Sequence, residues 1–68
     1  MTIGVKMQQT IASAEGVAAN LKQFALETQD QQAKKMFGQL SQSVNNVVTS
    51  LQARLNYIQQ EEPQYRQQ

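Results

Sequence analysis

The sequence predicts an all-α protein, namely a two-helix antiparallel hairpin that dimerises into a four-helix bundle. Apolar residues recur at alternating steps of three and four in two segments, a spacing typical of helices that pack along one stripe. Three glycines and one proline in 68 residues offer few of the turns that a β-rich fold needs. A chain this short buries little apolar surface, and without cysteine or histidine it lacks disulfides and the usual zinc ligands. Oligomerisation or unusually regular helix packing is therefore the expected source of stability.

The first apolar stripe predicts helix one at about residues 4–26. Its members are Met7, Ile11, Ala14, Ala18, Leu21, Ala25 and Thr28. Val17 and Phe24 lie beside the stripe and widen it, as a core-facing bundle helix requires. Because three members are alanines, we expect a facing helix to approach closely. Gly16 is interpreted either as a tolerated helix glycine or as a further point of close approach.

The second stripe predicts helix two at about residues 30–61. Its members are Ala33, Phe37, Leu40, Val44, Val47, Leu51, Leu55 and Ile58. The two successive steps of four from Val47 to Leu55 form a stutter, which locally unwinds a left-handed supercoil and lets the helix run straighter. The predicted helix is on the order of 45 Å long.

The connection at about residues 27–30 is predicted to be a turn, although it contains no Gly or Pro. The step of five from Thr28 to Ala33 breaks the rhythm, which favours a bend over the alternative of one continuous rod. Thr28 and Gln31 match a capping box, and Asp30 would place its charge near the positive end of helix two.

The segment Glu61-Glu62-Pro63-Gln64-Tyr65 combines a helix terminator with a candidate partner motif. Proline cannot continue a helix interior, so helix two is predicted to end here and residues 62–68 to form a tail. Two acids at a helix C-terminus oppose the helix dipole, which suggests recognition by a partner. The alternative is that the tyrosine folds back over the last turn. The candidate partner residues are Glu61, Glu62, Pro63 and Tyr65.

Residue types and charge argue against several classes of function. Without histidine or cysteine, catalysis would fall to five scattered acids and a few other side chains, so we predict no enzyme, metal or cofactor and no small-molecule substrate. Gly4, Gly16 and Gly38 are too far apart for a phosphate-binding loop. A net charge of +1 argues against nucleic acid as a partner, and the basic pair Lys34-Lys35 is interpreted as a solvated helix face. No segment reaches 18 apolar residues, so we expect a soluble, cytoplasmic protein.

Three segments resemble a family of roughly 70-residue proteins of unknown function from endospore-forming Gram-positive bacteria. They are Gln9-Thr10-Ile11-Ala12-Ser13 with Gly16, then Ala25-Leu26-Glu27-Thr28-Gln29-Asp30 with Ala33-Lys34, and finally the Glu-Glu-Pro-Gln-Tyr segment. Members are often encoded beside SpoVA-type channel proteins, so the resemblance implies a role in the forespore or spore and a possible membrane-protein partner. The tail Arg66-Gln67-Gln68 departs from the usual family ending.

The sequence thus predicts a non-enzymatic interaction module of spores, which forms a homodimer. Two alternatives remain: a DNA-coating protein of spores, and a peripheral membrane-surface protein. The residues predicted to form the core or the oligomer interface are Met7, Ile11, Ala14, Ala18, Leu21, Phe24, Phe37, Leu40, Val44, Val47, Leu51, Leu55 and Ile58.

Overall fold

The computed structural model describes the backbone of residues 3–61 and the side chains of residues 3–60, and this part of the chain contains two helices and no strand. Helix α1 spans Ile3–Glu27 and helix α2 spans Gln31–Glu61. The helices pack against each other. The predicted all-α hairpin is therefore confirmed, and the alternative of a continuous rod is wrong. Of the candidate partner motif, Glu62, Pro63 and Tyr65 lie outside the described residues.

Asp30 caps the N-terminus of α2. Its carboxylate oxygen Oδ1 accepts the backbone N–H of Gln32 at 3.0 Å and, at 3.5 Å, that of Ala33. Its carbonyl oxygen accepts the N–H of Lys34 at 2.8 Å, which closes the first helical turn. An aspartate in this position satisfies N–H groups that have no partner within the helix and places negative charge at the positive end of the helix dipole.

The capping box predicted for Thr28 and Gln31 is wrong. The hydroxyl oxygen of Thr28 accepts the N–H of Asp30 at 3.2 Å, two residues on, and so stabilises the turn and not the helix end. The N–H of Thr28 still bonds to the carbonyl of Phe24 at 2.9 Å, as a continuing α1 would require. Asp30 takes the cap because α2 begins one residue after it.

Two hydrogen bonds between the helices establish an antiparallel register. The Lys34 ammonium donates to the carbonyl oxygen of Ala25 at 2.7 Å, and the Ser41 hydroxyl donates to the carbonyl oxygen of Ala18 at 2.9 Å. A step of seven residues forward in α2 therefore corresponds to a step of seven backward in α1. Such a heptad relation lets one stripe of each helix face the other along the whole hairpin.

Further from the turn, the same register places a large apolar residue of α2 opposite a residue of α1 at two successive heptad positions. The same step of seven places Val48 opposite Ile11 and Leu55 opposite Gly4. Leu55 is 2% exposed and Gly4 is also buried. The stripe between the helices therefore stays buried at the end of the hairpin that is far from the turn.

The α2 stripe differs from the prediction at two positions. It passes through Ser41 and Val48, whereas Leu40 and Val47 are 44% and 52% exposed. From Lys34 to Ile58 the half-buried and buried residues of α2 keep a regular alternation of three and four, so the stripe between the helices does not follow the predicted stutter. Ser41 occupies the stripe because it is small and its hydroxyl has an acceptor on α1.

The helices approach closely, and the hairpin interior is thin. A serine side chain has one bond beyond Cβ, so the hydrogen bond from Ser41 to Ala18 requires the two backbones to be near each other. Small residues at such an interface allow this approach. The buried apolar residues are Ile11, Ala18, Ala25 and Leu55. A core of four residues, two of them alanines, stabilises a chain of this size weakly.

Candidate interaction surface

One broad side of the hairpin is apolar and exposed. In α1 the residues Ile3, Val17 and Phe24 each directly precede a buried residue. In α2 Leu40 precedes the buried Ser41 and Val47 precedes the half-buried Val48. Met36 and Tyr57 lie one helical turn away from this line in α2. These side chains are 44% to 52% exposed. We call them together the apolar face, which consists of Ile3, Val17, Phe24, Met36, Leu40, Val47 and Tyr57.

The two helices contribute to the same side of the hairpin. Two antiparallel helices are related by an approximate two-fold axis perpendicular to the plane that contains them. Rotation about this axis exchanges the helices and keeps each side of the hairpin on the same side, so equivalent heptad positions of α1 and α2 point to the same side. The contact between Phe24 and Phe37 agrees with this geometry. Their ring centroids are 5.4 Å apart and their planes meet at 63°, an edge-to-face arrangement. The apolar face is therefore continuous across both helices at the turn.

An open depression of about 410 Å³ marks the turn end of the apolar face. Phe24 and Phe37 line it together with Glu27 and Thr28. Its floor is aromatic, while the Glu27 carboxylate at its edge accepts a hydrogen bond from the Gln23 amide at 2.8 Å. The depression is an apolar hollow with one acid beside it.

The opposite side, which we call the polar face, is lined mostly by amide side chains. Gln42 donates to Asn46 and Gln52 donates to Asn56, each at 3.1 Å and each across one helical turn. Such amide pairs stabilise an exposed helix modestly. Leu26, at 67% exposure, is the large apolar exception on this side. The exposed apolar surface is therefore concentrated on the other side of the hairpin.

Among the side chains that the structure describes, charged groups border the apolar face only near its ends. Glu27 follows Phe24 by one turn at the turn end, and Lys6 follows Ile3 by one turn at the opposite end, which we call the open end. Arg54 lies at the open end too. Its guanidinium carbon is 5.1 Å from the ring centroid of Tyr57, a distance suited to a cation–π interaction.

The size of the apolar face exceeds what a lone small protein usually exposes. A half-exposed large side chain presents roughly 100 Å², so seven of them present about 700 Å². The largest apolar patch on a typical monomer is about 300–600 Å². About 800 Å² per partner is buried in a protein interface of standard size. The apolar face thus has the area of an interface.

The predicted core and interface residues divide between the hairpin interior and the apolar face. Those in the stripe between the helices, buried or half-buried, are Met7, Ile11, Ala14, Ala18, Leu21, Phe37, Val44, Leu51, Leu55 and Ile58. Phe24, Leu40 and Val47 lie on the apolar face. Sequence periodicity did not find Ser41 and Val48; the heptad steps forward from Lys34 would have found them.

Two further sequence interpretations are corrected by the structure. Lys34 is half-buried, because its ammonium bonds to a carbonyl in the last turn of α1, where carbonyl groups lack partners within the helix. It is therefore not part of a solvated face, whereas Lys35 is exposed. A Cβ added to Gly16 would meet nothing within 4 Å, so this glycine is not a point of close approach between the two helices.

The described residues contain no cluster of three or more acidic, histidine or cysteine side chains that could hold a metal ion. Between residues 3 and 61, neither helix is long and apolar enough to cross a bilayer. The candidate functional feature of this part of the chain is the apolar face.

The fold and the surface define a small antiparallel helical hairpin with one exposed apolar face. A family model for a protein of unknown function, DUF1657, matches residues 7–55, which is most of the chain. The chain belongs to this family. No curated protein and no solved structure matches it.

Proposed function

We propose that this protein is a non-enzymatic helical interaction module that forms a homodimer through its apolar face, giving a four-helix bundle. The observation that carries the proposal is the apolar face itself: about 700 Å² of apolar surface contributed by both helices, which the contact between Phe24 and Phe37 joins at the turn, and backed by a polar face. A second copy would cover this surface and give each hairpin the second layer that its thin interior lacks.

One hydroxyl group on the apolar face can be covered at little cost. The Thr10 hydroxyl, which lies among the apolar side chains, donates to the carbonyl of Lys6 at 2.9 Å. Its hydrogen-bonding need is therefore met within α1, and covering it costs little. The charged groups lie near the ends, where they can stay in contact with water, as the rim of an interface usually does.

The setting that we propose is the forespore or spore, with a spore membrane protein as a further partner. This part of the proposal is supported by the sequence resemblance described above and by the match to the family of unknown function. The polar face, rich in amide groups, remains free in the proposed dimer and is available to that partner.

The dimer is tested by charging the apolar face. Val47→Lys places a cation at its centre, whereas Asn46→Lys places the same cation on the adjacent residue, which lies off this face. Size-exclusion chromatography with light scattering should show twice the 7.7 kDa monomer mass for the wild type and for Asn46→Lys. Val47→Lys should be monomeric and should retain helical circular dichroism. A wild-type chain that is a monomer at micromolar concentration, with cooperative unfolding, would contradict the proposal.

The same surface favours one second candidate, a peripheral membrane-surface protein, because an apolar face can also insert into the headgroup region. Flotation with anionic liposomes separates the two candidates. Flotation of the wild type but not of Val47→Lys, together with a monomeric wild type in solution, would favour the membrane. Of the described side chains, Lys6 and Arg54 are the cations that border the face, so we expect little flotation.

A further inference from the structure

The two ends of the apolar face carry opposite charges. Glu27 borders the turn end beside the aromatic depression. Lys6 and Arg54 border the open end. Among the side chains of residues 3–60, the other charged groups lie on the polar face, in the turn or between the helices. The apolar face therefore has a negative end and a positive end, with uncharged surface between them.

Two hairpins stacked on their apolar faces can be related by a two-fold axis in either of two directions. An axis parallel to the helices stacks the turn of one copy on the turn of the other, with α1 on α2. An axis across the helices stacks the turn end of each copy on the open end of the other, with each helix antiparallel to its own counterpart. Both arrangements are closed and use one self-complementary surface.

Charge distinguishes these arrangements. With the turns together, Lys6 of each copy lies near Arg54 of the other. The two open ends are then stacked, and both of these like-charged pairs repel. With the turns apart, Glu27 of each copy lies near Lys6 of the other, and the register of the hairpin then places Arg54 of each copy near the first turn of α2 of the other, away from the Lys6 and Arg54 side chains of that copy. Like charges placed opposite each other select against one docking mode, and complementary charges specify the other.

We infer that a second copy of this chain docks on the apolar face in the antiparallel orientation, with Glu27 of each copy facing Lys6 of the other. The inference rests on the proposed homodimer and adds its orientation. The open end of one copy then covers the depression between Phe24 and Phe37 of the other. Each acid beside a depression receives a cation from the copy that covers it.

Spin labels at single cysteines test the orientation directly, because the chain has no cysteine of its own. Gln29→Cys places a label on the turn, at an exposed residue that is not the cap. Antiparallel docking should separate the two labels by about 40 Å, close to the length of helices of this size, whereas stacked turns would bring them within about 20 Å. Asn46→Cys, halfway along α2, is the matched control and should give a distance below about 30 Å in either orientation.

The possible outcomes distinguish failure of the antiparallel orientation from failure of the homodimer itself. A long distance between the turn labels together with the short control distance supports the antiparallel dimer. Short distances at both sites would overturn the inferred orientation and leave the dimer intact. Absence of any dipolar interaction at both sites would overturn the dimer and the inference together.

Charge exchange provides a second measurement. Glu27→Lys should raise the dissociation constant of the dimer at least fourfold, because an exposed pair changes an equilibrium constant about twofold and the pair occurs twice. Lys6→Glu in the same chain should return the constant to near the wild-type value. Sedimentation equilibrium measures both, and a double variant that dimerises more weakly than Glu27→Lys alone would overturn the pairing.

Discussion

Replacing Ser41 with leucine distinguishes close helix packing from a simple apolar stripe. Ser41 is a polar member of the observed stripe, so buried area alone would predict that leucine there adds about 1.5–3 kcal/mol. The structure predicts the opposite. Ser41 is 6% exposed and bonds to the Ala18 carbonyl, and Ala18 is 4% exposed. Forcing a larger side chain between the two backbones costs about 1–3 kcal/mol, and the lost hydrogen bond about 1 kcal/mol. We expect Ser41→Leu to lower the free energy of unfolding by about 2–4 kcal/mol.

Urea unfolding followed by helical circular dichroism measures this change, at one protein concentration because association adds to the apparent stability. Gln39→Leu is the control, since it places leucine on an exposed residue two positions away that lies off both the stripe between the helices and the apolar face, and it should change the free energy by no more than about 0.5 kcal/mol. Ser41→Ala should cost about 0.5–1 kcal/mol, because the Ala18 carbonyl keeps its bond within α1. If Ser41→Leu is at least as stable as the wild type, the inferred closeness of the helices at Ala18 is refuted.

Three further substitutions test the turn and the exposed surface by the same unfolding assay. Lys34→Gln should cost about 1 kcal/mol because the last turn of α1 loses its cationic cap, whereas Lys35→Gln, on an exposed residue, should be neutral. Asp30→Ala should also cost about 1 kcal/mol through loss of the α2 cap, and equal stability of variant and wild type would contradict that role. Gly16→Ala should stabilise the chain by up to about 1 kcal/mol, since a Cβ meets open space; destabilisation would indicate that another surface packs there.

The helix pattern and the turn were predictable from sequence because they depend on local chemistry. Steps of three and four place residues on one side of a helix, and the phase break after Thr28 locates the bend. The capping residue was assigned to the wrong position because Thr28 and Asp30 both have side chains that accept backbone N–H groups, and sequence does not say which one precedes the first helical residue.

The role of Lys34 was not predictable from its neighbours in sequence. Its acceptor is the carbonyl of Ala25, nine residues away, and the two meet only because the chain reverses between them. A lysine stem can lie along apolar surface while its ammonium reaches a polar group, so a half-buried lysine near a helix start is compatible with both a solvated and a capping role. Tertiary structure decides between them.

The assignment of Leu40 and Val47 shows what periodicity can and cannot resolve. Two stripes run side by side along α2, one through Ser41 and Val48 toward α1 and one through Leu40 and Val47 on the apolar face. Because adjacent stripes on a helix are offset by a single residue, an apolar pattern that serves two neighbours shifts from one stripe to the other and simulates an extra four-residue step. The apparent stutter therefore reports a shift between two adjacent apolar stripes and not a change in the supercoil. In a hairpin with so few buried residues, it indicates a helix that has apolar contacts to make in two directions, one of which the hairpin itself leaves open.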